Sequence, residues 1–257
     1  MIEFEHLKTA WKTWRKCPKL FEYLFVNSNP PSDAVELQFG RIFHEFAEKF
    51  HGRVDAMSLL GCNTAIETLE VFKSQTVNQP VVKAWVENFK LFETARWMYC
   101  KQNFTEPLTY WKPLAVERTI RLEGLGTVHV DRIQYYDKQS LMNCEYKSGK
   151  TFDIRDLRSE LALYNIAVNK YGGFSLPCLW IGAYNPQLNV AFVERIMQRT
   201  VSAVWRNIQL FRTSVTKREF LYKPSFFCRW CPRLQLCIDE KVFDMEVNEY
   251  DRKNIES

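Results

Sequence analysis

The 257-residue chain has no long apolar run. No stretch approaches the roughly 18 uninterrupted apolar residues of a membrane-spanning helix. The opening MIEFEHLKTAWK is charged and lacks the apolar centre of a secretory signal. There is no low-complexity segment, no internal repeat and no helicase motor, so any duplex unwinding would need a partner. Neither sign of charge dominates: 35 Lys and Arg against 30 Asp and Glu give a formal charge of +5. That excess is compatible with a nucleic-acid partner without demanding one. What remains is an ordinary soluble globular chain, expected in the cytoplasm and away from membranes. Just under half its residues are apolar, ample for a packed core, and its length suits one large domain or a catalytic core with an attached subdomain.

Cysteine is plentiful, with eight residues. In a reducing compartment that number points to metal or redox chemistry rather than to disulfides.

The first hundred residues read mostly as helix. Phe4, Leu7, Trp11 and Trp14 recur at spacings of three and four, which one helical face would collect. Pro18 breaks or restarts that helix before Leu20, Phe21 and Leu24. Pro30 and Pro31 then punctuate, with Ser32 or Asp33 as a candidate N-cap. An amphipathic segment carrying Leu37, Ile42, Phe43, Phe46 and Phe50 follows, with His44 inside it, and another helix spans about 80 to 101. Near Lys112 the period changes to two. Residues 114–120, 128–133 and 141–147 read as strands, with a polar turn at 136–140. A helix over 154–171 closed by Gly172-Gly173, strands near 176–184 and 189–196, and a helix to about 217 complete the pattern. The expected architecture is α/β (α+β): helices around a central mixed sheet of about five strands.

Hydrolysing a phosphodiester calls for a metal that neutralises phosphate charge and generates hydroxide from water. Hard cations such as Mg²⁺ are held by a few carboxylates. Val-Asp-Arg-Ile offers Asp131 on one strand, and Cys-Glu-Tyr-Lys offers Glu145 and Lys147 on the next. A strand's period of two turns Glu145 and Lys147 to one face and Cys144 and Tyr146 to the other. Pairing through the 136–140 turn would bring Asp131 close to that face. A lysine beside two acids is suited to orient or deprotonate the attacking water. A surface row of ion pairs would look the same in sequence. Glu117 could approach the site from a neighbouring strand, but a solvated strand residue is the expectation.

Gly-Arg-Ile-Phe-His (40–44), Val-Asp-Arg-Ile (130–133), Cys-Glu-Tyr-Lys-Ser-Gly-Lys (144–150) and Glu-Leu-Ala-Leu-Tyr (160–164) occur in that order. The ordered set resembles the RecB-type branch of the PD-(D/E)xK nucleases. That branch includes the nuclease domains of recombination helicase–nucleases and the small nucleases of CRISPR spacer acquisition. The resemblance runs from about residue 17 to 237 and implies a restriction-endonuclease-like fold. It further implies that His44, Asp131 and Glu145 bind Mg²⁺ or Mn²⁺ with the backbone carbonyl of Tyr146, and that Lys147 positions the water. Tyr164 would contact DNA or support the site. Glu160 departs from the family, which has glutamine at that place.

Cys228-x₂-Cys231-x₅-Cys237 supplies three closely spaced thiols, and both zinc and iron–sulfur clusters usually want four. Cys17 is the natural fourth, since like Cys231 it precedes proline among aromatic and basic residues. The resemblance implies a [4Fe–4S] cluster on Cys17, Cys228, Cys231 and Cys237 that staples the N-terminal helix to the C-terminal segment; structural zinc is the simpler alternative. Cys62, Cys100, Cys144 and Cys178 have no ligand spacing and are expected to be buried as small apolar residues. On this reading residues 1–257 form one nuclease domain, with a catalytic core over 111–217 and a helical and cluster subdomain from 1–110 and 218–240.

Cations and aromatics near the cysteines (Lys12 to Lys19, Arg229, Trp230, Arg233) could bind phosphates and stack bases of a single strand. Lys147, Lys150 and Arg155 could guide a strand to the metals. The expected function is a Mg²⁺- or Mn²⁺-dependent deoxyribonuclease. It would act as an exonuclease on single-stranded DNA or DNA ends, in recombination, repair or CRISPR adaptation, with a helicase or a CRISPR-adaptation protein as possible partner. A non-cutting DNA-binding module and a zinc-stabilised adaptor are the competing readings.

Overall fold

A five-stranded sheet in the order β1-β2-β3-β4-β5 organises the chain. The structure is a computed structural model and describes residues 3–28 and 35–240. The strands are β1 (Ala115–Leu122), β2 (Gly126–Tyr135), β3 (Leu141–Tyr146), β4 (Cys178–Asn185) and β5 (Val190–Arg195). Neighbours are antiparallel except β3 and β4, which run parallel. The parallel pair needs a crossover, supplied by helix α8 (Ile154–Tyr171). Asp153 caps the start of that helix, and Gly173 sits past its end at φ +73°, where a residue without Cβ is unstrained. A mixed sheet with helices on both faces is the expected fold class, and the strand boundaries shift from the sequence reading by only a few residues.

One face is covered by α8, by α1 (Leu7–Lys16) and by α9 (Gln198–Lys217). Leu7, Trp11, Leu161, Tyr164, Ile208 and Phe211 are fully buried there against Val130, Ile133 and Ile181. The other face is covered by α3 (Val35–Arg53) and α6 (Pro80–Asn103), joined by α4 (Ala56–Gly61) and α5 (Ala65–Phe72). Phe43, Phe50, Phe89 and Trp97 pack there with Trp111 of α7 (Pro107–Trp111) and with Tyr146 and Tyr184 of the sheet. The candidate caps Ser32 and Asp33 lie outside the described residues.

Phe4 departs from the sequence reading. It lies ahead of α1 and forms a parallel bridge to Gly126. Its N–H donates to the Leu125 carbonyl at 3.1 Å, and its own carbonyl accepts from Thr127 at 2.8 Å. Gly126 has φ +134°, and a Cβ there would stand 2.0 Å from the Phe4 oxygen, so only glycine admits this approach. The bridge fixes where α1 crosses the sheet. Beyond Cys17, in extended backbone, Pro18 opens the short helix α2 (Pro18–Phe21), which continues as a π-helical turn to Val26. At the far end come a 3₁₀ turn (Phe226–Trp230) and α10 (Leu234–Asp239).

Candidate active site

Register brings the two strand acids together. Arg132 pairs with Cys144 between β2 and β3, and extending that register sets Asp131 beside Glu145. Both are buried, as is Glu160 on α8. Glu145 and Lys147 do share a face: the Lys147 Nζ donates to Glu145 Oε1 at 2.6 Å and to Glu160 Oε2 at 2.9 Å. The Tyr146 N–H donates to Asp131 Oδ2 at 2.6 Å, holding that carboxylate in place. His44, reaching in from α3, puts Nδ1 3.7 Å from Asp131 Oδ2.

Three further residues join the constellation that the motifs did not single out for it. Glu117 is not a free solvated residue: its Oε1 lies 3.3 Å from His44 Nδ1. The β1–β2 ladder steps from Val116–Arg132 to Arg118–Val130 and leaves Glu117 and Asp131 unpaired between them. Glu117 there takes φ +45°, a strained value for a side-chain-bearing residue. The apolar alternation changes parity at the same point on both strands. Ala115 and Ile133 face the α8 side, yet so do Ile120, Leu122, Val128 and Val130. This break turns both acids toward His44. The other two residues are lysines of α1. Lys8 Nζ sits 2.7 Å from Glu145 Oε1 and 5.1 Å from the centre of the Tyr164 ring, and Lys12 pairs with Glu160. Their i, i+4 spacing was the available signal, legible only once α1 is known to cross the sheet.

Charge is balanced unevenly among the acids. Burial would raise Glu145, but the ammonium groups of Lys8 and Lys147 outweigh it and hold that carboxyl far below its usual range. At Asp131 burial and the Glu145 charge outweigh the more distant His44 and Lys8 and push the carboxyl up to about 7. Burial would lower His44, but Asp131, Glu117 and Glu145 raise it to about 9. Lys147 is also raised, burial being overcome by Glu145 and Glu160. A permanently charged Lys147 can orient and donate; it is not a base while those partners stay in place.

One nitrogen of His44 and one oxygen each of Glu117 and Asp131 lie within 4.8 Å of one another. Glu145 Oε2 and the Tyr164 hydroxyl are buried with no hydrogen-bond partner, an arrangement that costs free energy unless something else satisfies them. Carboxylate oxygens with one imidazole suit Mg²⁺ or Mn²⁺, and a divalent cation would relieve both the crowding of acids and the unsatisfied Glu145 oxygen. The donor set fits the metal.

Beside Glu160 a cleft of about 480 Å³ is lined by Lys12, Arg15, Lys16 and Lys223. Its lining includes Pro18, the residue after Cys17. The Cys231 thiol is pushed up by burial and by the sulfurs of Cys237, Cys17 and Cys228 around it, and Cys17 acts likewise on Cys237. Segments more than 200 residues apart thus converge, tied also by Lys223 Nζ donating to the Arg15 carbonyl at 2.8 Å. Cys62, Cys100, Cys144 and Cys178 are buried, as expected.

Residues 9–238 match the family described as the PD-(D/E)XK nuclease superfamily. The chain belongs to that superfamily and has its fold. No curated protein matches the sequence. Among solved structures, a Eubacterium rectale protein described as a candidate exonuclease is similar over 90% of this chain and 88% of its own. Its identity is 10% and its TM-score 0.47, a likeness too low to carry an argument about activity.

Proposed function

We propose that the chain is a Mg²⁺- or Mn²⁺-dependent deoxyribonuclease of the RecB-like type, acting as an exonuclease on single-stranded DNA or DNA ends. The observation that carries this reading is Lys147 bridging Glu145 and Glu160 beside Asp131, His44 and the unsatisfied Glu145 oxygen. In the proposed assignment His44, Asp131, Glu145 and the Tyr146 carbonyl hold the metal, and Glu117 joins them. When bound, the metal supplies charge neutralisation at the phosphate and an acidified water. The protein's own groups do the rest. The Tyr146 N–H fixes Asp131, and Lys147 donates hydrogen bonds to the attacking water or a phosphate oxygen. Tyr164 brings a buried hydroxyl to the floor, and the Lys12–Lys16 cleft attracts the DNA backbone.

Cys17, Cys228, Cys231 and Cys237 are assigned to a [4Fe–4S] cluster that staples the N-terminal helix to the C-terminal segment, within a subdomain of residues 1–110 and 218–240 beside the 111–217 core. Tetrahedral zinc, with Zn–S of about 2.3 Å, requires sulfurs about 3.8 Å apart. Iron and acid-labile sulfide analysis separates the two: stoichiometric zinc without iron would remove the cluster and leave the nuclease assignment standing. Recombination, repair or CRISPR adaptation, with a helicase or adaptation protein as partner, is the setting this reading implies.

The test is cleavage of end-labelled single- and double-stranded DNA with Mn²⁺, Mg²⁺ or EDTA. Wild type should cut only with metal, and Lys147→Ala should cut about 10²–10⁴-fold more slowly while still binding DNA. Metal-loaded wild type that binds DNA without cutting would favour the non-cutting module.

A further inference from the structure

The strand alternation that turns Glu145 toward Lys8 of α1 turns Cys144 and Tyr146 to the opposite face, where Arg132 and Gln134 of β2 join them. There, beneath α6, lies a cavity of about 440 Å³, of whose lining the nuclease reading uses only the Tyr146 backbone. Its size is that of a small-molecule site. The walls are aromatic: Phe92 stacks on Tyr184 with centroids 4.2 Å apart, and Phe104 stacks on Tyr110 at 3.8 Å. Gly182, paired with Val193 on the neighbouring strand, also lines the cavity. Flat, paired rings of this kind offer faces and edges to another flat ring.

The polar lining is cationic. Arg96 and Arg132 both donate to the one buried carboxylate of Glu93, at 2.5 and 2.7 Å. The remaining partner of that carboxylate is His51, 3.0 Å away, which burial holds down at about 4 and therefore neutral. Two guanidinium groups thus face one carboxylate. Arg132, 1% exposed, keeps its Nε without a hydrogen-bond partner; the group beside it is the Cys144 thiol, a weak acceptor. An unsatisfied buried donor and an uncompensated positive charge at the base of an aromatic cavity both call for an anionic acceptor.

We propose that this cavity is a second binding site, separate from the nuclease centre, for a planar aromatic anion whose rings stack among Phe92, Tyr110 and Tyr184 and whose acid group meets Arg96 and Arg132. The site is read from the far face of the sheet and stands or falls independently of the nuclease assignment.

The probe is 2-naphthoate, titrated calorimetrically against the full chain, with (2-naphthylmethyl)ammonium as its cationic counterpart. Wild type should bind one naphthoate per chain with Kd below about 1 mM, as the ligand's size allows. The cation should bind at least about tenfold more weakly, because it cannot accept from the arginines. Ala191→Trp and Val193→Trp place bulk at the rim on the β5 edge, away from the buried network, and each should abolish naphthoate binding with the thermal transition intact. Asp131→Ala, in the nuclease centre, should leave it unchanged. No saturable binding by wild type would overturn the proposal. So would equal affinity for the cation, undiminished binding in both folded rim variants, or binding lost in Asp131→Ala.

Discussion

Lowering the pH from 7 to 5 should destabilise this protein through His51. The imidazole is buried between Glu93 and the Trp111 ring, whose centroid is 4.7 Å away. Glu93 is already satisfied by Arg96 and Arg132, which, with His51, overcome its burial and hold it far below the usual carboxylate range. A proton on His51 would be one more buried positive charge beside two guanidinium groups. Its folded-state value is accordingly about 4, against 6.5 for the ordinary side chain. Between those values the unfolded chain binds the proton that the folded one refuses. The His51 contribution is therefore fully present above 6.5 and lost as pH falls toward 4. Linkage over that interval gives a loss of about 2 kcal/mol between pH 7 and pH 5. Other groups titrate in the same range, and Asp131, whose value is raised, acts in the opposite direction. The measurement must therefore be a difference: urea unfolding at pH 7, 6 and 5 for wild type and for His51→Phe, which keeps the aromatic contact with Trp111 and does not titrate. Wild type should lose about 2 kcal/mol more than the variant between the extremes. Parallel pH profiles for the two proteins would refute the placement of a neutral His51 in this network.

Two further outcomes test the metal and cysteine assignments. Glu117→Gln should weaken Mn²⁺ binding by about tenfold or more, since it removes one charge from the donor set; unchanged affinity by calorimetry would return Glu117 to the role of a strand residue. Cys17→Ala should lose iron and acid-labile sulfide and also melt earlier. A loss of about 2 kcal/mol corresponds to about 4–8 °C at this size, and an unshifted transition in anaerobically prepared protein would contradict the staple.

The sheet and its helices were legible because period two and period 3.6 separate cleanly after Lys112, and because glycine pairs and proline mark the ends. Asp131, Glu145 and Lys147 were legible for the same reason: simple alternation puts the last two on one face. Glu117 was not, because alternation fails there. Its left-handed backbone and the parity change opposite Asp131 leave no trace in a hydrophobic pattern. Lys8 and Lys12 were hidden differently. Nothing in Leu-Lys-Thr-Ala-Trp-Lys says which distant acids their side chains will meet. That depends on the Phe4–Gly126 bridge, a contact between segments more than a hundred residues apart. Phe4 has helical spacing in the sequence yet is held in an extended bridge, so α1 begins a turn later, at Leu7.

The α1 lysines bear on why the active site holds together before any metal arrives. Asp131, Glu145, Glu160 and Glu117 bring four carboxylates to one end of the sheet, three of them buried. Like charges so close would drive the acids apart or into their protonated forms. Lys147 serves two of them, Glu145 and Glu160, Lys8 pairs with the same two at 2.7 and 3.9 Å, and Lys12 adds a further cation to Glu160. Asp131 has only the Tyr146 N–H and the more distant His44. The unbalanced charge therefore collects at Asp131, Glu117 and the free oxygen of Glu145, where a divalent cation gains most. Glu145 and Glu160 are kept ionised by lysines that a metal need not displace. The same helix that carries Lys8 and Lys12 ends at Cys17. A cluster that fixes that end of α1 would thus also fix the counter-charges of the cutting centre, which gives the cysteines a reason to sit where they do.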